Sequence, residues 1–430
     1  MSVTRETATG FMSATELGQV STNRGYDGFG ELEDFESRFQ SNQLYSYTLG
    51  RDAAGRITSK TETISGEEHT WSYSYDEAGR LVQTELDGRV YERIVYDENS
   101  NRTEYIDSSG TIVTADYDDQ DRLLRYGDTT FTYTANGELL TKADSTGTTT
   151  YTYDVFGNLT DVELPDGRHL HYIIDGRNRR VGKEIDGQVE WYLVYVDQIN
   201  PVLQLDADGN VVAEFVYGTR LNVPDYMVKG GRTYRIVADH LGSVRLVVDT
   251  STGEVVQRID YDPWGVVLQD SNPGFQPFGF AGGLYDNDTG LVRFGARDCS
   301  PSVARWNIKD NIIILYSQNM FVYSLNDPIN FTDIFGTSPE GWAYSVGGLI
   351  VSGVGQLAKS GTLGAVGLVF TAFSLLLDHK ENTSKLTDYL VAKDPLCLSV
   401  QCRRKQREEW EREKQQLREI WKDICREVRQ

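Results

Sequence analysis

The sequence predicts a mainly all-β protein, in which antiparallel strands stack as repeats into a spiralling shell, with a short, mostly α-helical C-terminal region. Three observations predict it. Tyr-Asp turn sequences recur at a nearly fixed spacing in the first half of the 430-residue chain. The segments between them alternate polar and apolar residues, as half-exposed strands do. After residue 336 the composition changes abruptly to a Gly-rich apolar stretch and then a highly charged segment.

The repeated unit is a turn flanked by strands. Aligning the chain on Tyr-Asp yields six related heptapeptides whose starts lie 21, 21, 16, 20 and 21 residues apart. The Asp side chain can accept hydrogen bonds from the turn backbone, and Gly supplies the left-handed conformation that closes a bulged hairpin. A fixed period of this kind is typical of stacked architectures. The six are YDEAGRL (75–81), YDENSNR (96–102), YDDQDRL (117–123), YTANGEL (133–139), YDVFGNL (153–159) and IDGRNRR (174–180).

Composition limits the classes of function. A formal net charge of −22 disfavours binding to nucleic-acid phosphates, so we expect no nucleic-acid partner. Four cysteines are too few for a disulfide scaffold in a chain of this length. The first thirty residues contain neither a basic region nor an apolar core of a secretory signal. The sequence therefore leaves the location open between the cytoplasm before export, secretion and the cell surface.

Further signatures follow the repeats. Residues 234–267 contain D-H-L-G-S-x-R-L and Y-D-P-x-G elements, and residues 279–310 contain a G-A-R-x-x-x-P-x-x-x-R-W stretch. Together with the Tyr-Asp repeats, these elements resemble the YD repeats and the repeat-associated core of bacterial Rhs proteins, toxin-complex C components and teneurins. The resemblance spans about residues 45–336. It implies a β-ribbon wound into a hollow shell that keeps or delivers a variable C-terminal segment.

Four segments are expected on these grounds. Residues 1–44 form a partial, irregular N-terminal segment, residues 45–218 the YD-repeat array, and residues 219–336 the repeat-associated core. Residues 337–430 form the variable tail, with an apolar hairpin at 343–377 and an amphipathic helix at 403–428.

The stretch NDPINFTDIFG (326–336) ends the core and carries two aspartates, Asp327 and Asp333. In the family that this chain resembles, two D-P-x-G motifs supply an aspartic-protease-like pair that cuts the chain after the second motif. The matching positions here are Asp310 and Asp333, and one such carboxyl can act as acid while the other activates water. The sequence departs from the motifs at three positions: Asn311 and Ile334 replace the prolines, and Ile313 replaces the first glycine, while Phe335 and Thr337 flank the remaining Gly336.

Other candidate residues favour structural roles. His240 lies in a turn of the core signature, where a satisfied polar group is the usual interpretation. His169 and His171 project on the same side of a strand, as two metal ligands would, but the neighbouring sequence offers no Cys or further His. We therefore expect neither a metal nor a cofactor.

Three interpretations of the tail compete. His379, Cys397 and Cys402 imitate a zinc-deaminase motif, but with wrong spacing. The apolar stretches 343–358 and 361–377 could insert into a membrane as a helical hairpin or pack inside the shell. Residues 403–428 carry a heptad pattern and many oppositely charged pairs, typical of a solvated helix that packs on a partner.

The function expected from these features is that of an Rhs-type shell that carries a polymorphic C-terminal toxin in competition between cells and releases it by self-cleavage near residue 337. The alternative is a degenerate YD-repeat protein that serves as a structural or surface-binding module and does not cleave. The first interpretation implies delivery proteins or further shell as partners, a small immunity protein for the tail, and contact with a membrane through 343–377.

Overall fold

The computed structural model describes residues 1–310, 319–337 and 340–341. In these ranges the secondary structure is almost entirely β, as the sequence predicts. Twenty-six strands form one large sheet. The first thirteen are β1 (Ser2–Arg5), β2 (Met12–Leu17), β3 (Val20–Tyr26), β4 (Leu32–Phe39), β5 (Asn42–Arg51), β6 (Ile57–Ile64), β7 (Glu67–Tyr75), β8 (Leu81–Leu86), β9 (Arg89–Tyr96), β10 (Arg102–Asp107), β11 (Ile112–Tyr117), β12 (Leu123–Tyr126) and β13 (Thr129–Tyr133).

The second half of the sheet continues in the same order. It consists of β14 (Leu139–Asp144), β15 (Gly147–Tyr153), β16 (Leu159–Glu163), β17 (His169–Ile174), β18 (Arg180–Ile185), β19 (Gln188–Tyr195), β20 (Pro201–Leu205), β21 (Val211–Val216), β22 (Tyr226–Lys229), β23 (Arg232–Ala238), β24 (Val244–Asp249), β25 (Val255–Tyr261) and β26 (Val267–Asp270).

The topology is an antiparallel meander. Each strand pairs with the next one along the chain, from the β1–β2 pair to the β25–β26 pair. Such local pairing follows from the short turns, because two-stranded antiparallel hairpins need only a few connecting residues.

The repeated turns have the predicted chemistry. In the turn that joins β7 and β8, Asp76 Oδ1 accepts hydrogen bonds from the backbone N–H groups of Ala78 (3.0 Å) and Arg80 (2.9 Å). Gly79 takes φ = +84°, a conformation that is strained for other residues. Arg80 Nε donates to Asp76 Oδ2 at 2.7 Å. The Asp-to-backbone bond recurs in at least nine more turns, at Asp27, Asp52, Asp97, Asp118, Asp154, Asp175, Asp206, Asp239 and Asp262.

Successive turns stack on each other, which accounts for the period near twenty-one residues. The guanidinium of Arg80 lies 4.6 Å from the ring centroid of Tyr96 in the next unit. The hydroxyl of Tyr96 then donates to the carbonyl of Leu81 at 2.8 Å. The same hydroxyl-to-carbonyl bond links Tyr75 to Ile57 and Tyr117 to Arg102. Each ring therefore ties one hairpin to the one before it.

Residues 1–44 differ from their expected irregularity. The structure places the whole of β1 to β4 there, paired in order with one another and with β5. The sequence does carry the signal, because YDGFGEL (26–32) matches the repeated heptapeptide, and the turn at Asp27 has the same hydrogen bonds as the later ones. The boundaries at residues 44, 218 and 336 stay predictions.

The sheet curls so that its end packs against its beginning. Val237 and Leu246, from β23 and β24, belong to one buried cluster with Tyr45, Ile57 and Leu81 of the early strands. Arg245 of β24 forms an ion pair with Glu62 of β6, and its Nη1 atom lies 3.2 Å from Glu62 Oε2. Both side chains are almost fully buried, so the ion pair joins distant parts of the chain inside the core.

A smaller closing region follows the sheet. A four-stranded sheet contains β27 (Leu284–Tyr285), β28 (Val292–Phe294), β29 (Arg297–Ser300) and β30 (Arg305–Trp306), and a two-stranded sheet contains β31 (Phe331–Thr332) and β32 (Glu340–Gly341). Short 3₁₀ turns occur at Phe280–Gly282, Pro301–Val303 and Ser324–Asn326.

The predicted hairpin at 343–377 and helix at 403–428 lie outside the described residues, as do His379, Cys397 and Cys402. Among the residues that are described, the structure contains no helix of sufficient length and hydrophobicity to cross a bilayer.

Candidate functional site

The site lies where the end of the core folds back onto the β28–β29 hairpin. Arg297, at the start of β29, is buried, and its guanidinium stacks 4.0 Å from the ring centroid of Trp306. Stacking on an aromatic face fixes the plane of the guanidinium while its N–H groups remain free to donate at the edge. The position of Arg297 is therefore set by the packing of the small sheet.

The two predicted aspartates meet at this arginine. Asp310 Oδ2 lies 2.7 Å from Arg297 Nη2, and Asp333 Oδ2 lies 3.0 Å from the same nitrogen. The Asp333 side chain is 2% exposed and that of Asp310 is 16% exposed, so solvent reaches Asp310 more easily. One guanidinium nitrogen thus bridges both carboxylates, which differs from a dyad in which two carboxyl groups contact each other directly.

One peptide bond is held at both of its polar atoms. Arg297 Nε donates to the carbonyl oxygen of Gly336 at 2.6 Å. The backbone N–H of Thr337 donates to Asp333 Oδ1 at 2.9 Å. The Gly336–Thr337 bond therefore lies between a fixed cation on its carbonyl and a carboxylate on its amide.

Gly336 is the one motif glycine that the chain keeps, and its backbone geometry suits no larger residue. Its φ is +66°, and a Cβ built there would lie 2.3 Å from the backbone oxygen of Phe294. The backbone of Phe335 also accepts a hydrogen bond from the Ala296 N–H at 2.9 Å. A larger residue at 336 would push the strand end away from Arg297.

Asp327 has a different role from Asp333. It is buried, and burial raises its pKa to about 7. It accepts hydrogen bonds from the N–H (3.1 Å) and the side-chain amide (2.9 Å) of Asn330. Asn330 in turn accepts from the backbone N–H of Ile57 at 2.8 Å and donates to the hydroxyl of Tyr75 at 2.9 Å. Asp327 therefore orients Asn330, whose side chain links the closing region to the repeat array.

The histidines do not join the arginine site. His240 is partly buried, its Nε2 lies 3.1 Å from the carbonyl oxygen of Ile329, and desolvation lowers its pKa to about 4. It is therefore neutral at physiological pH and supports a structural role. His169 and His171 lie on β17, where both contact Asp161.

The sequence pattern does not single out Arg297 as a site residue. Arg297 belongs to the G-A-R element of the core signature. Arginines are common in the repeats, however, and no neighbouring residue marks this one as part of a functional site. Ile334, which replaces the second motif's proline, is buried at 6% exposure, so its side chain packs in the closing region. Asn311 and Ile313 lie outside the described residues.

Comparison with known proteins agrees with this architecture. The family described as Teneurin YD-shell matches residues 1–331. Human teneurin-4 is 26% identical over 346 residues, covering 76% of this chain and 12% of teneurin-4. The tRNA3(Ser)-specific nuclease WapA of Bacillus spizizenii is 28% identical over 286 residues, covering 63% of this chain and 12% of WapA. The chain thus spans about an eighth of the length of these relatives.

Among solved structures, the crystal structure of TcdB2-TccC3-TEV superposes with a TM-score of 0.60 at 15% identity. The superposition covers 78% of this chain and 19% of that chain. At this identity the likeness concerns the fold alone.

Proposed function

The chain belongs to the Teneurin YD-shell family, and on that premise we propose that its β array is the shell and carrier of a C-terminal effector, residues 337–430. In this proposal the effector is freed by self-cleavage of the Gly336–Thr337 bond and acts in competition between cells. One observation carries the proposal: Arg297 donates a hydrogen bond to the carbonyl of this peptide bond, and Asp333 accepts one from its N–H. Asp310 contacts the same guanidinium.

Hydrolysis of this bond needs three things, and each has a residue in place. The carbonyl must be polarised, and Arg297 Nε donates to its oxygen at 2.6 Å, where negative charge develops on attack. A water molecule must lose a proton, and Asp310 is the more accessible carboxylate. The leaving nitrogen of Thr337 must gain a proton, and Asp333 is the group hydrogen-bonded to it.

The step balances without a cofactor. Water oxygen bonds to the Gly336 carbonyl carbon and its proton passes to Asp310. The C–N bond then breaks as Asp333, in its protonated form, gives its proton to the Thr337 nitrogen, and exchange with water afterwards removes the proton from Asp310. The products are a carboxylate at Gly336 and an amine at Thr337.

The arrangement also carries a physical cost for catalysis. A cation that contacts both carboxylates favours their ionised forms, whereas proton delivery requires one of them to be protonated in turn. Arg297 therefore speeds attack on the carbonyl and slows proton transfer to the leaving nitrogen. We expect self-cleavage to be a slow, single-turnover event.

The partners follow from the carrier role. Delivery proteins or further shell would accompany residues 1–336, and a small immunity protein would neutralise the tail in the producing cell. The nuclease activity that the name of WapA states is a property of WapA. For this chain we propose action on a membrane through the apolar residues 343–377, and no nucleic-acid partner.

The test is intact-mass measurement of the purified full chain over time, with a tag at each end. Wild type should convert to fragments 1–336 and 337–430. Asp310→Asn, Asp333→Asn and Arg297→Lys should each stay uncut. Asp327→Asn is the matched control, because Asp327 lies in the same segment but binds Asn330 instead of Arg297. It should cut at the wild-type rate.

Two outcomes contradict the proposal. Cleavage that persists in Asp333→Asn, or that occurs at another bond, rejects the assigned site. A wild-type chain that stays intact assigns the protein to the alternative function, a non-cleaving structural or surface-binding shell. Loss of both motif prolines, at Asn311 and Ile334, is the observation that favours this alternative.

A further inference from the structure

Arg180 occupies a position at which other repeats carry a buried leucine. The seventh residue of the repeated heptapeptide is Leu81, Leu123, Leu139 or Leu159 in four of the units, and all four are buried. In the unit IDGRNRR the seventh residue is Arg180, which begins β18 and is only 4% exposed. Burying a guanidinium is costly unless counter-charges and hydrogen-bond acceptors surround it. The surroundings of Arg180 therefore decide whether its charge is balanced.

A second buried arginine lies beside it, and the two share one carboxylate. Arg180 Nη2 lies 3.0 Å from Asp298 Oδ1, and Nη1 of Arg293, on β28, lies 2.9 Å from Asp298 Oδ2. All three side chains are almost fully buried. Arg293 Nη2 also donates to Asn158 Oδ1 at 3.1 Å, but this acceptor is neutral. Two guanidinium groups and one carboxylate leave one positive charge in the interior.

The other acids near these arginines have partners of their own. The charge of Asp286 acts on Arg180, but Lys183 Nζ lies 2.8 Å from the same carboxylate. Asp154 acts on Arg293 in the same way, but it is partly exposed, so water screens its charge. Burial, together with the charge of Arg180, lowers the pKa of Arg293. The positive charge of the pair is therefore incompletely balanced.

A small cavity adjoins the two arginines where the repeat array meets the closing region. Its volume is about 20 Å³, and Tyr195 of β19 and Ile334 of the closing region both line it. Arg179, Arg180 and Arg293 also line it, whereas none of the described residues around it is an aspartate or a glutamate. A cavity of this size accommodates one water molecule or one monatomic ion.

Each arginine also has a donor to spare. The Nε atoms of Arg180 and Arg293 are buried, and neither has a hydrogen-bond partner among the described residues. The guanidinium of Arg180 is held in place, because it stacks 3.7 Å from the ring centroid of Tyr172. A buried donor without an acceptor is destabilising. A water molecule would supply an acceptor but no charge, whereas an anion supplies both.

We propose that this cavity binds one halide ion, chloride under physiological conditions, between Arg180 and Arg293. The cavity is too small for sulfate or phosphate. The bound ion would neutralise the remaining positive charge and join β18 of the array to β28 of the closing region. The site does not include Arg297, Asp310 or Asp333, so it is independent of whether the chain cleaves itself.

Bromide identifies the ion directly. Crystals of the full chain grown in NaBr, with diffraction data collected at the bromine absorption edge, should show an anomalous peak in the cavity beside Arg180 and Arg293. Crystals of Arg180→Leu should show no peak there. Density in the wild-type cavity without an anomalous signal, or an empty cavity, means that water alone or nothing occupies it, and either result overturns the proposal.

Thermal unfolding tests the same site in solution. The melting temperature of wild type should rise with the logarithm of chloride concentration when NaCl replaces sodium gluconate at constant ionic strength, because gluconate cannot enter the cavity and only the folded state binds the ion. Arg180→Leu restores the leucine of the other repeats and leaves Arg293 paired one to one with Asp298, so this variant should lose the rise. Arg293→Met should lose it too, which repeats the test with the second arginine.

The chain offers a matched control at the same position of another repeat. Arg102 is the seventh residue of YDENSNR and is also buried, but Glu92 acts on it as a counter-charge. Arg102→Leu should therefore keep the chloride dependence of wild type. A wild-type melting temperature that is equal in both salts, or an equal rise in wild type, Arg180→Leu and Arg293→Met, overturns the proposal. Loss of the rise in Arg102→Leu as well would also contradict the assigned site.

Discussion

Replacing Arg297 by Met tests whether one guanidinium holds the closing region together. Methionine keeps an unbranched stem that can pack on Trp306 but removes the charge. The variant loses a hydrogen bond of 2.6 Å to Gly336 and contacts of 2.7 Å and 3.0 Å to Asp310 and Asp333. Asp310 and Asp333 then both lose the guanidinium that they share.

The magnitude follows from the burial of the partners. Breaking a buried ion pair by removing one member costs about 3–5 kcal/mol, because the remaining charge is uncompensated. Asp333 is buried but Asp310 is partly exposed, so water solvates part of the second charge. We therefore take the lower end, about 3 kcal/mol, for local opening of the closing region.

Hydrogen exchange measured by mass spectrometry is the suitable assay, because it reports local opening without unfolding the whole array. The Ala296 and Thr337 amides, which donate to Phe335 and to Asp333, should exchange roughly 100-fold faster in Arg297→Met, as a loss of about 3 kcal/mol implies. Amides in β7 and β8 should exchange as in wild type.

A second substitution separates charge from packing. In Arg297→Met/Asp333→Asn a neutral amide replaces the buried carboxylate that has lost Arg297, so part of the lost protection should return. Exchange at Ala296 and Thr337 that is unchanged in Arg297→Met would refute the assignment. Failure of the double variant to recover any protection would show that packing, and not charge, dominates.

Three further predictions concern other parts of the chain. Gly79→Val and Gly157→Val should each destabilise the array by about 1–3 kcal/mol, because a β-branched residue at positive φ is strained; unchanged melting temperatures in both would contradict the turn assignment. Burial, together with the charge of Glu92, raises the pKa of Asp262 to about 7. The folded protein therefore keeps the Asp262 carboxyl protonated at pH values where the unfolded chain loses this proton, so stability should fall as pH rises from about 4 through 7. Asp262→Asn should flatten that fall in melting temperature between pH 5 and 8, and an identical pH profile would refute the cause. Expression of residues 337–430 alone, if it harms a bacterial cell, should depolarise its membrane before any damage to nucleic acid; toxicity with intact membranes and degraded RNA or DNA would reject the membrane target.

The repeat architecture could be predicted because its determinants are local. Asp76 binds the backbone two and four residues ahead, and Gly79 closes the same turn, so both signals lie within one heptapeptide. Strand alternation is local in the same sense. The order of strand pairing can be predicted for the same reason, because a short turn places each strand directly beside the next one along the chain.

The aspartate pair is an intermediate case. Asp310 and Asp333 were identified through family resemblance, and the fold brings both to Arg297. Their shared nitrogen could not be predicted from spacing, because the position of Arg297 depends on packing against Trp306 and on the close approach at Gly336.

Burial of equivalent turn residues depends on contacts made across the fold. Phe156 and Trp264 occupy the same position in Tyr-Asp turns, and each backbone N–H binds its turn aspartate. Phe156 is 72% exposed, whereas Trp264 is 3% exposed and its indole N–H donates to Glu92 at 3.0 Å. Glu92 is 172 residues away, so the curl of the sheet, and not the turn sequence, buries one ring and exposes the other. The contacts of His169 and His171 with Asp161 have a similar origin, because the sequence places both rings on one face while the register of β16 brings the carboxylate to them.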